Sequence, residues 1–303
     1  MSYMKNLRAR LSERKQQSMI AREISYRHSA KNKVGKRVIQ SMENLTGRPR
    51  LIRMAKDYEK EVEAGKDFWQ VIIDRYGIGL NVLNGELDKI PKEGPLILIA
   101  NHPFGILDGL VLGHILQKAR GDFRILAHRV FRKAEDLDRV ILPINFDETK
   151  EGVRQNLETR KEALRFLKDG GAIGIFPGGT VSTSAKPFSR PMDPSWRTFT
   201  AKMIQRSDAV VIPIYFHGSN SRLFQLASHM HYTLRMALLI REFRRRIKKD
   251  VPIAVGDPIS KEEMSNYDNP RDLMEFLRQE TYKLSPDPLK NYDPGFEFEE
   301  HWR

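Results

Sequence analysis

From about residue 79 the chain alternates short apolar runs with longer amphipathic stretches. Leu80–Leu83, Leu96–Ala100, Phe123–Ala127, Val140–Ile144, Ala172–Phe176, Val210–Phe216 and Val251–Val255 have the length and residue types of strands. Residues 106–118, 151–168, 195–206, 222–248 and 261–283 have helical patterning. Strands alternating with helices predict an α/β domain, a mostly parallel sheet flanked by helices. Asn84-Gly85 marks a turn, the Pro-bearing stretch 186–194 a loop, and residues 285–303, with three prolines, an irregular tail. Upstream, Asp67 is placed to cap a helix carrying Phe68, Trp69, Val71, Ile72 and Ile73. Residues 1–66 read as a basic helical N-terminal extension with a turn at Thr46-Gly47-Arg48-Pro49. The expected division is thus 1–66, 67–284 and 285–303. Within 222–248, Leu223, Leu226, Met230, Leu234, Ala237, Leu238 and Leu239 share one broad helical face. Core packing is expected of its first half and a lipid-facing basic end of its second.

Composition adds limits. The chain has 303 residues, 40% hydrophobic and 30% charged, the balance of a globular protein. It has no cysteine, which excludes disulfides, thiolate zinc sites and a cysteine nucleophile. The formal net charge is +13, and it is unevenly placed: residues 1–50 carry +10, residues 201–250 carry +7, and the rest sum to −4. Such a surplus suits nucleic acid, anionic lipid or phosphorylated ligands. No helix-turn-helix, zinc-finger or RNP-like pattern accompanies it, and the basic blocks lack interleaved aromatics, so nucleic acid is not the expected partner. No apolar stretch approaches the roughly 20 residues a spanning helix needs. The N-terminus has no apolar core of a secretory signal. Its Met4, Leu7 and Leu11 recur at helical spacing among basic residues, as in a helix lying on an anionic membrane or in a disordered basic arm. The run Arg241, Arg244, Arg245, Arg246, Lys248 and Lys249 is a candidate membrane-docking patch; its plain alternative is a solvated helix face.

Ligands of open α/β sheets bind beyond the carboxyl ends of strands, and three loops there are unusual. The first is Asn101-His102-Pro103-Phe104-Gly105-Ile106-Leu107-Asp108-Gly109. Pro103 and Gly105 bend the chain, and a helix starting near Ile106 places Asp108 in its first turn, able to fold back on His102. A carboxylate on one imidazole nitrogen fixes the tautomer and leaves the other as a base for a hydroxyl proton. The alternative is a structural histidine, with Asp108 serving only the positive helix N-terminus. The second loop is Pro177-Gly178-Gly179-Thr180-Val181-Ser182-Thr183, whose backbone N–H groups can face an anion. It lacks the Gly-Lys-Ser/Thr ending of a P-loop, and an ordinary turn is the alternative. The third is His217-Gly218-Ser219-Asn220-Ser221-Arg222, where Ser219 or Asn220 is alternatively a helix cap.

Together these loops resemble the glycerolipid acyltransferases, the lysophospholipid or 1-acyl-glycerol-3-phosphate acyltransferases, over residues 80–256 or so. The first loop resembles their N-H-x₄-D signature with one extra residue between His102 and Asp108, as in the bacterial hemolysin-like branch that includes ornithine-lipid acyltransferase relatives. Phe176, Pro177, Gly179, Thr180 and Ser182 match the F-P-E-G-T-R-S block, but Gly178 stands for its glutamate and Val181 for its arginine. Ile212-Pro213-Ile214 resembles the fourth block. The second block's arginine has no counterpart, with Arg124, Arg129 and Arg132 as nearby substitutes. The resemblance implies acyl transfer from acyl-CoA or acyl carrier protein to a lysolipid hydroxyl, of a lysophospholipid or of a lyso-aminoacyl lipid such as lyso-ornithine lipid. His102 would be general base, oriented by Asp108. Asn101, Gly105, Pro177, Gly178, Gly179, Thr180, Ser182, Asn220 and Arg222 would bind substrate, and the 241–249 run would dock a peripheral enzyme on the cytoplasmic face of the inner membrane. The departures at 178 and 181 imply an acceptor other than plain glycerol phosphate, or phosphate binding moved elsewhere. No metal or cofactor is implied. The competing classes are a basic nucleic-acid-binding protein, a non-catalytic lipid binder, and a lysophospholipase or transacylase using the same pair.

Overall fold

Leu96–Ala100 has no exposed side chain, because it is the middle strand of a sheet covered on both faces. The computed structural model describes residues 25–30, 32–128, 135–145, 149–287 and 289–297. The first four helices are α1 Lys33–Thr46, α2 Arg48–Met54, α3 Tyr58–Glu63 and α4 Phe68–Tyr76. There follow β1 Gly79–Asn84, β2 Leu96–Ala100, α5 Ile106–Arg120, β3 Phe123–His128, α6 Glu135–Asp138, β4 Ile141–Ile144, α7 Lys150–Lys168 and β5 Ala172–Ile175. The remainder is β6 Thr183–Ser184, β7 Pro191–Met192, α8 Thr198–Ile204, β8 Val210–Phe216, α9 Arg222–Met230, α10 Tyr232–Arg246, β9 Asp250–Val255, α11 Lys261–Ser265 and α12 Pro270–Lys283.

Seven strands form one sheet in the order β1-β9-β8-β2-β5-β3-β4, and β6 and β7 form a small antiparallel ribbon. Every pairing in the large sheet is parallel except β8 with β9. Leu98 sits between Ile212 of β8 and Gly174 of β5. Strand side chains alternate between faces. Leu96, Leu98 and Ala100 therefore join Leu112 and Leu116 of α5 and Leu239 of α10 in one core. Ile97 and Ile99 join Ala163 and Leu167 of α7, Ala201 of α8 and Leu277 of α12 in the other. The parallel sheet and its two covered faces are those the sequence pattern predicts.

Asp67 caps α4, accepting from the Gln70 N–H at 2.8 Å. The extension is not loosely attached where it is described. Ile39 of α1, Leu51 of α2 and Tyr58 of α3 are buried in the same core as β2. Residues 1–24, with Met4, Leu7 and Leu11, lie outside the described residues. Among its described residues the tail has no regular element, yet Gly295 donates its N–H to the Asp193 carbonyl at 2.8 Å and Phe296 to that of Thr183 at 3.2 Å.

Three helices differ from expectation. The 222–248 helix is two, because His231 is extended (φ −164°, ψ 135°) and caps the second by accepting from the Thr233 N–H. The break turns the apolar stripe, so Leu223 and Met230 are 50% and 70% exposed while Ala237, Leu238 and Leu239 are buried. The 261–283 helix is interrupted before Pro270, whose ring cannot continue a preceding turn. The 195–206 helix is shorter, Thr198–Ile204.

Close packing of α5 is set by glycine. A methyl group on Gly113 would land 2.2 Å from Trp69 Cζ3, whereas one on Gly109 would meet nothing within 4 Å. Gly113→Ala is therefore expected to destabilise by about 1–3 kcal/mol through overpacking. Gly109→Ala is expected to stabilise by about 0.5–1 kcal/mol through helix propensity. Urea unfolding of the two variants checks this, and equal midpoints would contradict the packing.

Candidate active site

The C-terminal ends of β2, β5 and β8 bring the three loops together. Asn101 leaves β2 buried, its side chain spent on Phe216 of β8: it accepts the Phe216 N–H at 2.6 Å and donates to the Phe216 carbonyl at 3.0 Å. It joins two strand ends through one donor and one acceptor of its amide. His102 follows, its side chain 18% exposed. Its ring stacks on Phe176 at the end of β5, centroids 4.3 Å apart.

The extra residue between His102 and Asp108 is taken up in the Pro103–Gly105 bend. Gly105 has φ 86° and ψ −123°, a conformation open to glycine. Asp108, in the first turn of α5, then folds back and is fully buried. Its Oδ2 accepts the N–H groups of Phe104 at 2.8 Å and Gly105 at 3.0 Å, and lies 3.0 Å from His102 Nδ1. Nδ1 is buried and makes no well-directed hydrogen bond among the described residues, its approach to Oδ2 being one of distance, and Asp108 Oδ1 likewise has no hydrogen-bond partner among them. Asp108 thus serves the helix N-terminus and also faces the histidine. Burial pushes its carboxyl above the ordinary carboxylate range, against the lowering contributed by His102 and the two N–H groups.

Three side chains that the motifs do not contain hold this loop and the second one. Asp193, fully buried next to the β6–β7 ribbon, accepts the His102 backbone N–H at 3.1 Å, the Ser182 hydroxyl, and Trp196 Nε1–H at 2.9 Å. Its carboxylate lies where a side chain on Gly178 would begin, 3.2 Å from that Cβ position. A carboxylate is therefore present beside the Gly178 site, delivered from another segment. Arg235 of α10 is fully buried and reaches the same loop. Its guanidinium donates to the Val181 carbonyl at 2.7 Å, to Thr180 Oγ1 at 3.2 Å, to Thr183 Oγ1 at 2.6 Å and to Ser228 Oγ at 2.9 Å. Burial pulls it down to about 9. It places a guanidinium beside Val181. Tyr26, tied by its N–H to the buried Glu43 carboxylate, accepts from the Ile106 N–H over the start of α5. Asp193 and Tyr26 give only a weak signal in sequence, a carboxylate flanked closely by prolines and a tyrosine in a basic extension.

The other expected site residues separate. Ser182 is buried and bonded to Asp193, and Thr180 is held by Arg235. The Gly179 N–H is used by the Phe176 carbonyl, and the Pro177 carbonyl by the Arg197 N–H. Asn220 is buried with its side-chain Nδ2 lacking a partner among the described residues. The cap of α9 is Ser221, not Ser219 or Asn220. Arg222 is exposed on the first turn of α9. Arg124 pairs with Asp122 and lies over Phe166, away from the loops, and Arg129 and Arg132 lie outside the described residues. The basic run divides as well. Arg244, Arg245, Lys248 and Lys249 are exposed, but Arg241 pairs with the buried Glu242 at 2.8 Å, and Arg246 turns inward onto Phe104.

A protein family described as acyltransferase matches residues 62–289. The lyso-glycine lipid O-acyltransferase of Phocaeicola vulgatus is 25% identical over 269 residues, covering 84% of this chain and 92% of that protein. The enzyme of the same name from Bacteroides thetaiotaomicron is 26% identical over 234 residues, covering 75% and 82%. The crystal structure of the 1-acyl-sn-glycerophosphate acyltransferase of Thermotoga maritima superposes with a TM-score of 0.44 at 18% identity, covering 76% of this chain and 81% of that one.

The raised Asp108 carboxyl has a stability signature. A carboxyl whose folded pKa is raised contributes most below its unfolded value of about 4, and that contribution is lost as pH rises through the folded value. Asp108→Asn removes the loss. Its urea midpoint at neutral pH is expected to equal or exceed wild type, with a flatter dependence above about pH 4. A midpoint well below wild type at neutral pH would contradict the assignment.

Proposed function

Because the chain belongs to the acyltransferase family, we propose that it moves a fatty acyl group from acyl-CoA or acyl carrier protein to the hydroxyl of a lysolipid, with His102 as base. The observation that carries this reading is the 3.0 Å approach of His102 Nδ1 to the buried Asp108 carboxylate. A proton on Nδ1 facing that carboxylate leaves Nε2 as acceptor. Nε2 takes the proton of the acceptor hydroxyl as its oxygen attacks the thioester carbonyl carbon. The tetrahedral intermediate collapses, the carbon–sulfur bond breaks, and the imidazolium returns the proton to the departing thiolate. Asp108 offsets the charge of the transient imidazolium. Stacking on Phe176 and the Asp193 clamp on the backbone keep the ring in one orientation, which matters because catalysis is sensitive to positional error of about 1 Å.

The names of the two relatives support a lyso-aminoacyl lipid over a lysophospholipid as acceptor. Among the described residues no helix is long and apolar enough to cross a membrane. We place the docking surface at Arg244, Arg245, Lys248 and Lys249. The Arg244 side chain packs on Gly47, two residues beyond the 85% exposed Leu45 in the last turn of α1. A basic cluster beside an exposed apolar residue suits an anionic bilayer.

Purified protein given acyl-CoA or acyl carrier protein and lysolipids is expected to yield acylated lipid and free thiol. His102→Ala is expected to lower kcat by about 10²–10⁴-fold. Wild-type turnover in that variant would refute the mechanism, and free fatty acid in place of acylated lipid would favour the hydrolase. Replacing the four exposed basic residues by Gln is expected to weaken sedimentation with anionic vesicles about tenfold or more. Undiminished binding would move the docking surface elsewhere.

A further inference from the structure

Arg246 is the last residue of α10 and belongs by sequence to the basic run, but its side chain leaves the surface. The guanidinium carbon lies 4.0 Å from the centre of the Phe104 ring, in the loop between His102 and Asp108. One Nη2–H donates to the Ser219 carbonyl at 2.9 Å, in the loop after β8. The same nitrogen is 3.6 Å from where a side chain on Gly218 would begin, and Phe104 Cζ is 3.2 Å from that point. The guanidinium is thus wedged between two of the three loops at the carboxyl edge of the sheet, and Gly218 gives it room.

A guanidinium has five N–H donors, and a half-buried one ordinarily meets a carboxylate. Among the described residues this one has the single bond to Ser219 and no carboxylate within 4.0 Å. The nearest candidates are committed elsewhere. Glu242, one turn earlier, accepts from the Ser221 N–H, the Ser221 hydroxyl and Arg241. Asp108 is engaged through Oδ2 with two N–H groups and His102. Burial lowers the Arg246 pKa, offset in part by the Asp108 and Glu242 charges. A cation kept partly out of water with most of its donors unspent, packed on the loop that joins His102 to Asp108, is a site prepared for an anion.

We propose that Arg246 binds an anionic group of the acyl acceptor, a carboxylate or a phosphate, and so selects acceptors that carry one. The proposal rests on the lysolipid acyltransferase reading for the identity of the ligand. A glycine linked through its amine retains such a carboxylate. The planar guanidinium pairs with carboxylate or phosphate oxygens through two parallel bonds, while Phe104 holds its face. The anion would then be fixed within reach of His102, which meets the hydroxyl elsewhere on the same molecule.

The test uses the full chain and three probes: N-lauroylglycine, its methyl ester, and dodecyl phosphate, with binding read by calorimetry. Wild type is expected to bind at least one of the anionic probes about tenfold to hundredfold more tightly than the ester. Arg246→Gln is expected to erase that preference while leaving ester binding unchanged, and Arg246→Lys to restore part of it. The stronger anionic probe identifies carboxylate or phosphate. In turnover, Arg246→Gln is expected to raise KM for an anionic lysolipid about tenfold or more with kcat little changed, and to leave a neutral monoacylglycerol unaffected. A role limited to supporting the Asp108 charge would instead lower kcat on both acceptors alike. Wild type without preference for anion over ester, or Arg246→Gln with the preference intact, would overturn the proposal. An anion preference that depends on Arg246 with no acyl transfer to any acceptor would sustain it and refute the acyltransferase reading of the acceptor.

Discussion

One carboxylate oxygen, Asp108 Oδ2, organises the site. It gathers the N–H groups of Phe104 and Gly105 and the imidazole of His102 within about 3 Å. Those N–H groups stand at the start of α5, where a helix lacks internal acceptors. Satisfying them and facing the histidine are therefore one act. The loop between the two residues has to be shaped around that oxygen, which is why a glycine with positive φ sits at 105. A fully buried carboxylate is costly to ionise, a cost that the proposed mechanism puts to use in balancing an imidazolium.

Everything around the pair keeps it fixed. The sheet supplies a rigid edge, with Asn101 tying the end of β2 to the end of β8 through two bonds. The second loop is braced from α10 by Arg235, and the histidine backbone from the ribbon by Asp193. These two side chains restore a carboxylate and a guanidinium near Gly178 and Val181, where the sequence lacks them. They come from segments far along the chain, and both are buried. They act on the backbone and on hydroxyl groups of the loops. Arg246 is different in kind, because most of its donors are unspent.

The strands were legible because each is a short apolar run with its ends marked, and the parallel sheet followed from their alternation with helices. The approach of Asp108 to His102 was legible because the two lie six residues apart, on either side of one Pro- and Gly-bearing bend. The helix break at His231 was not, since the apolar spacing runs straight through it and only the extended backbone of His231 reveals it. Asp193 was hidden in a stretch that reads as loop, and its partners lie from three to 91 residues away. Arg246 was concealed by its neighbours. In a run of six basic residues, exposure decides between docking and binding, and only the packing of Phe104 separates it from Arg245. Asn101 and Ser182 carry motif positions but spend their polar groups within the fold, a distinction that spacing alone does not make.

The central claim is that Asp108 fixes the His102 tautomer with the proton on Nδ1 and leaves Nε2 free. Nitrogen-15 NMR of histidine-labelled protein, at a pH where His102 is neutral and with the signal assigned by the His102→Gln variant, reads this directly. The account predicts a protonated Nδ1 and an unprotonated Nε2 for His102, reverting toward the mixture of free imidazole in Asp108→Ala. A neutral His102 carrying its proton on Nε2 in the wild type would contradict it.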